Sequence, residues 1–414
     1  MSVFSGYVGR SGRAGRNAIA DSLARIPWGL VALIGGLAVF GTMMLYSSTI
    51  TNPNEAELPA KHAVRFAIAL AMMIALAITP LSVWMRAAYP AYAVTLSLLL
   101  AVEFFGVTGG GAQRWLQVGP VAIQPSEIMK LALTLTLARY YQTMLRRTSG
   151  RIIVHLPAML ITAIPAVLVI VQPDLGTTLM LLATGGAIIF FAGLSKWLIG
   201  GVVAVQLLSM PLVHFVMLKE DERAQPASWL GLGSVVYYFG LEDYQRERVD
   251  ALLSPGESED YKLGAGYQAE QAKIAIGSGG LEGKGFTQGI QSQLDFIPEQ
   301  HTDFIFTVVA EEFGFAGSAG LMLVWGVVLG WGLLIAHRCK SLFGKFAATG
   351  AVATVAFYVA FNIGMVSGLL PVVGIPLPLI SYGGSAMITV MAAFGLILSA
   401  HVHRDSRLGG AQGV

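Results

Sequence analysis

A chain of 414 residues, 55% hydrophobic and only 12% charged, is too apolar for a soluble globule and is expected to cross a membrane many times. Its net charge of +2 says little until the distribution of that charge is read. The single cysteine, Cys339, excludes a disulfide framework and a cysteine-based metal site, and no nucleic-acid partner is expected.

Residues 1–26 form a basic, glycine-rich tail without the small-residue cleavage site of a secretory signal. A tail of this kind is attracted to lipid head groups. Ten apolar spans follow, at 28–47, 66–84, 89–107, 126–144, 153–171, 176–193, 197–217, 303–335, 347–368 and 383–402. Each approaches the ~20 residues a helix needs to cross a bilayer. Their apolar runs are continuous rather than alternating, which excludes a closed barrel. The expected fold is an all-α polytopic membrane domain over 27–402, with a large loop at 218–302 between helices seven and eight and a second tail at 403–414. With the N-terminus inside, Lys and Arg crowd the inner segments, among them Arg86, Arg139, Arg338, Lys340 and Arg404, against only Asp21 and Asp405. That is the bias of cytoplasmic loops, and an even number of spans returns the C-terminus to the same side.

Four outer segments carry polar groups where they are costly. The first is Gln113-Arg114-Trp115-Leu116, then Gln124-Pro125-Ser126-Glu127-Ile128-Met129-Lys130. Ser126 is read as the N-cap, since Pro125 bars an earlier start. Glu127 and Lys130 then share a helix face, either as a self-satisfied ion pair or as a ligand site. Trp115 alone reads as an interfacial belt residue. The second segment is Gln172-Pro173-Asp174-Leu175-Gly176-Thr177. Asp174 caps the next helix there or points into a cavity.

Within the large loop, 229–241 is apolar but too short to span, and 267–276 reads as a short amphipathic helix on the membrane. The run 277–289 (GSGGLEGKGFTQG) fails the phosphate-loop pattern, because Gly285 follows Lys284 and Ser278 stands where the first glycine belongs. It is expected to be a flexible connector.

The third segment runs from Glu299-Gln300-His301-Thr302-Asp303-Phe304 to Glu311-Glu312. Thr302 or Asp303 is a simple helix cap, or else Glu299, His301 and Asp303 gather at a cavity mouth as proton-transfer groups. Glu311 and Glu312 differ by ~100° around a helix, so they face different partners. The fourth segment is Leu370 to Ser385, with Pro371, Pro376 and Pro378. Those prolines forbid a regular helix, and non-helical backbone at this depth survives only where protein or water satisfies it. Ser381, Tyr382 and the glycines after them either offer donors to an anionic head group or simply start the next helix.

Taken in order, QRW…QPSEIMK, QPDLGT, PEQHTDFIF…EE and LPLISYGGS resemble the SEDS family (shape, elongation, division and sporulation) over residues 28–402. Gln291-Ser292-Gln293-Leu294 and Val372-Val373-Gly374-Ile375-Pro376 are more similar to its elongation branch than to its division branch. The resemblance implies an inverting peptidoglycan glycosyltransferase acting on lipid II, with a class B penicillin-binding transpeptidase and the elongation machinery as partners. It implies Asp303 as the general base, and Arg114 and Lys130 as cations for the pyrophosphate. Trp115, Glu127, Asp174, His301 and Ser381 line the cavity in this reading. A divalent cation, Mg2+ or Mn2+, can bridge pyrophosphate and carboxylate, although no closed ligand set is visible. The competing class is a lipid II flippase, which needs a polar route open to both faces.

Overall fold

The computed structural model describes residues 19–109, 112–119, 121–147, 152–194, 265–294, 297 and 299–406. The expected span 197–217 and the apolar segment 229–241 lie outside them. Three helices come first, α1 (Trp28–Thr49), α2 (Leu58–Ile78) and α3 (Leu81–Phe105). A small antiparallel sheet follows, of β1 (Val107–Gly109), β2 (Ala112–Val118) and β3 (Val121–Ile123) in that order. Then come α4 (Pro125–Arg147), α5 (His155–Val171) and α6 (Leu175–Phe191). Within the expected loop 218–302 lie α7 (Ala265–Ser278) and the short α8 (Ile290–Gln293), and α9 (Ile305–Arg338), α10 (Leu342–Val366) and α11 (Gly384–Val402) follow.

Nine of the ten expected spans thus fall on helices among the described residues, and six of those helices are long and apolar enough to cross a membrane on their own. Two boundaries move. The second helix starts at Leu58 rather than near 66, because Lys61, His62 and Arg65 lie inside its first turns and break the apolar run. The third starts at Leu81, directly after Pro80, which ends the helix before it. The sheet is an addition to the all-α expectation. Its pairings, Thr108 with Gln113 and Leu116 with Ile123, place Arg114 and Trp115 on a rigid strand between α3 and α4.

The most buried spans are α10 and α11. The small residues of α10 let neighbours approach closely. At Gly350 an added Cβ would sit 2.6 Å from Ile188 and 2.7 Å from Thr134, so α4, α6 and α10 meet there only because the residue is glycine. Prolines inside helices are compensated by neighbours. Pro165 in α5 cannot bond the Ile161 carbonyl, which instead accepts from the Tyr92 hydroxyl at 2.8 Å. Pro90 in α3 likewise frees the Arg86 carbonyl, and Arg139 donates to it at 3.2 Å.

The glycine run 277–289 is the main correction to the expected fold. It is no free connector but is bonded into a break in α9 at Gly314, where φ is 63° and ψ is −162°. The Glu311 and Glu312 carbonyls, whose helical partners would be Phe315 and Ala316, accept from the amides of Lys284 (3.0 Å) and Gly285 (2.9 Å). The amides of Phe315 and Ala316 donate to Gly280 (2.8 Å) and Leu281 (3.1 Å). Two lost helical bonds are replaced by four bonds to the loop, which satisfies irregular backbone within a spanning helix. The two glutamates do face different partners. Glu311 Oε1 meets Lys284 Nζ at 2.6 Å and the Gln291 amide at 3.0 Å, while Glu312 accepts from the Ser47 hydroxyl of α1.

Candidate functional site

A polar cavity of about 480 Å³ opens where β2, the starts of α4 and α6, the segment before α9 and the segment before α11 converge. Four local structures build it. Pro125 occupies the first helical position of α4, so Ser126 lies inside the helix and is not its cap. Glu127 and Lys130, one turn apart, therefore point together toward α10. The Lys130 ammonium lies 2.7 Å from Glu127 Oε1 and 2.5 Å from the Tyr358 hydroxyl, which donates to Glu127 Oε2. All three side chains are buried. The ion pair is thus also part of the cavity wall. A buried pair whose members are also hydrogen-bonded is the form in which such charges are tolerated.

Asp174 also serves both expected roles. Its Oδ1 accepts from the Thr177 amide at 3.0 Å and caps α6, while Oδ2 accepts from Gln124 at 3.0 Å at the cavity wall. Arg114 donates to the Pro173 carbonyl, which ties β2 to the same turn. Its Nε is buried with no hydrogen-bond partner, a donor that an anionic guest would satisfy.

Two irregular segments close the remaining sides. The loop Pro371–Gly383 is non-helical throughout, and Leu379 within it has φ 62°. Asn362 of α10 donates at 2.7 Å both to the Ile375 carbonyl of this loop and to the Asp303 carbonyl. The Tyr382 amide donates to the His301 carbonyl at 2.9 Å. The loop and the segment carrying Asp303 are thereby held together through their backbone carbonyls, by the Asn362 side chain and the Tyr382 amide. The N-cap position of α9 is Phe304, which makes no side-chain cap. Thr302 donates to Glu299 Oε2 at 2.8 Å.

Of the expected site residues, Arg114, Trp115, Glu127, Lys130, Asp174 and Asp303 line this cavity, together with Glu299. His301 and Ser381 do not. The His301 ring packs edge-on to Tyr382, with Nδ1 3.6 Å from Glu55. The Ser381 hydroxyl accepts from the Leu377 amide at 2.8 Å and serves the loop's own turn. The sequence reading did not single out Tyr358, Asn362 and Gln268, and gave Gln124 no role within its motif. A polar residue within an apolar span such as α10 was the available signal for the first two. Arg65 was also missed, and it stacks 4.5 Å from the Tyr382 ring centre at the rim. Among the described residues no group of three or more His, Cys, Asp or Glu is placed to hold a metal ion. Such a group is what a cation held by the protein alone would need; a cation bridging a substrate's phosphates to a single carboxylate needs fewer protein ligands.

The chain is 40% identical over 380 residues to the peptidoglycan glycosyltransferase MrdB of Escherichia coli K12, covering 91% of this chain and 93% of that protein. Its fold matches a chain from a structure titled for the coordination of polymerization and crosslinking by a peptidoglycan synthase complex. That match has a TM-score of 0.73 at 30% identity and covers 92% of this chain and 98% of that one. It also matches the rod shape determining protein RodA of Thermus thermophilus, with a TM-score of 0.65 at 27% identity over 92% of this chain and 98% of that one. Residues 21–406 match the cell cycle protein family of FtsW, RodA and SpoVE, and the chain belongs to that family.

Proposed function

We propose that this protein is an elongation-type peptidoglycan glycosyltransferase that polymerises lipid II into β-1,4 glycan strands. The observation that carries the reading is that Asp303 and Arg114, a proton acceptor and a cation with an unpaired donor, line one polar cavity at the end of a membrane bundle. Lipid II joins a disaccharide-pentapeptide to a membrane-bound undecaprenyl chain through pyrophosphate. Its head group must react at a membrane surface while its tail stays in lipid. The activity named for the E. coli relative supports the same reading.

In this mechanism the 4-hydroxyl of one GlcNAc attacks the anomeric carbon of the MurNAc that ends the growing strand. The Asp303 carboxylate takes the hydroxyl proton. The bond from carbon to pyrophosphate oxygen breaks, and the electron pair leaves with undecaprenyl pyrophosphate. Attack opposite the leaving group inverts the centre to β. Arg114 and Lys130 stabilise the charge that develops on the leaving oxygens. Glu127 and Tyr358 hold Lys130 in place, and Trp115 and Asp174 shape the wall beside it.

The protein sits in the cytoplasmic membrane with both termini inside and the cavity at the outer face. The distribution of Lys and Arg supports this orientation. A class B penicillin-binding transpeptidase crosslinks the product, a partnership supported by the synthase complex that the fold matches.

Purified protein, combined with its transpeptidase partner and labelled lipid II, is expected to give a ladder of glycan lengths on a gel. No ladder, together with translocation of lipid II in liposomes, would contradict the proposal in favour of a flippase.

A further inference from the structure

A second polar cavity, of about 390 Å³, lies at the opposite end of the bundle and is lined by Arg25, His401, Arg404 and Asp405. Helix α11, 19 residues long, begins at Gly384 on the wall of the first cavity and ends at the second. At ~1.5 Å per residue the two are separated by about the thickness of a hydrocarbon core. Residues used in the first site play no part in the second.

The charge here is unbalanced. Arg338 and Arg404 both lie close enough to His401 to act on its charge, and Arg25 acts in the same way on His403. Among the described residues one carboxylate pairs with this cluster. Asp405 pairs with Lys340 at 2.6 Å and with Arg404 at 3.6 Å. Neither Arg25 nor Arg338 forms an ion pair among the described residues. Basic residues in the last turn of one helix are ordinary complements to its dipole. Here, however, two separate chain segments, the stretch before α1 and the end of α11, deliver cations to one concave space.

The surroundings indicate which anion fits. Trp28 and Ile19, on either side of Arg25 in the chain, are about half exposed, at 53% and 51%. Exposed Trp beside Arg at the end of a spanning helix marks the depth of lipid head groups. Basic pockets between helices at that depth recognise acidic head groups.

We infer that this cavity binds the phosphate head group of an acidic phospholipid, with Arg25 and Arg404 as its principal ligands. The site is independent of the polymerisation chemistry.

The test uses delipidated full-length protein, with phosphatidylglycerol, phosphatidylcholine or inorganic phosphate added back and binding read by native mass spectrometry. Wild type should retain phosphatidylglycerol in preference to phosphatidylcholine, and equimolar inorganic phosphate should not displace it. The double variant Arg25→Gln/Arg404→Gln should bind it about thirtyfold more weakly, at about fivefold per basic residue. The pair Arg25→Lys/Arg404→Lys should bind within a few-fold of wild type, and Arg86→Gln, a basic site elsewhere, should change nothing. Should the glutamine pair fail to fold, Arg25→Gln alone lies outside every spanning helix and should weaken binding about fivefold. Equal retention of both lipids, or a glutamine variant that binds like wild type, would overturn the inference. Displacement by inorganic phosphate would overturn the lipid assignment in favour of a free-anion site.

Discussion

The Lys130 ammonium is where the chemistry of single residues is most exposed to test. It is 1% exposed and bonded to Glu127 and Tyr358. Removing one member of such a pair leaves an uncompensated buried charge, at a cost of about 3–5 kcal/mol, whereas removing both is often near neutral. Lys130→Ala should therefore lower thermal stability sharply and abolish polymerisation. Lys130→Met with Glu127→Gln should recover most of the stability and none of the activity. A double variant that polymerises normally would remove the pair from the mechanism. Lys130→Arg keeps the charge and should lose less substrate use than Lys130→Ala in a lipid II titration. Cys339 offers a simpler check. Its thiol is buried in the turn between α9 and α10, and burial pushes its pKa up. It should resist maleimide in the native protein and react on denaturation; fast native labelling would contradict the packing of that turn.

Residues were legible in the sequence in proportion to how costly their placement is. Glu127, Lys130, Asp174 and Asp303 stand out as charges inside or beside apolar runs, and all four line the cavity. His301 and Ser381 lie in the same motifs, yet their side chains serve Tyr382, Glu55 and the loop's own turn. Proximity in the chain does not fix the direction of a side chain in irregular backbone. Tyr358 and Asn362 were missed because each is a polar residue in a long apolar helix, bonded to a residue far off in the chain, Glu127 for Tyr358 and Asp303 for Asn362.

Elements show the same division. Continuous apolar runs gave the helices, since length and hydrophobicity alone select a spanning helix. They could not give the break in α9, where the repeated glycines of 277–289 find their use only against Gly314. A side chain there meets two obstacles, a positive φ and a Cβ 2.6 Å from the Leu281 carbonyl oxygen. Gly314→Ala should destabilise by about 1–3 kcal/mol and reduce activity by loosening the loop that reaches Glu311 and Glu312. Gly320→Ala, six residues on in the same helix, has open space around its Cβ and should be neutral or slightly stabilising. Thermal unfolding of the two variants separates strain at the break from a general sensitivity of α9 to alanine. Equal effects would mean that the break carries no special constraint.

Across the whole molecule, one end of the bundle concentrates mixed polar groups around a cavity and the other concentrates cations. Between them lies an apolar core with α10 and α11 at its centre. That asymmetry suits an enzyme working at one membrane face on a lipid-anchored substrate. The central claim is that the cavity's chemistry depends on the Asp303 carboxylate. The most direct test runs wild type beside Asp303→Ala with labelled lipid II and the transpeptidase partner, after checking that both variants melt alike and copurify with the partner. A glycan ladder from wild type and none from Asp303→Ala is the predicted result; a normal ladder from the variant would contradict it.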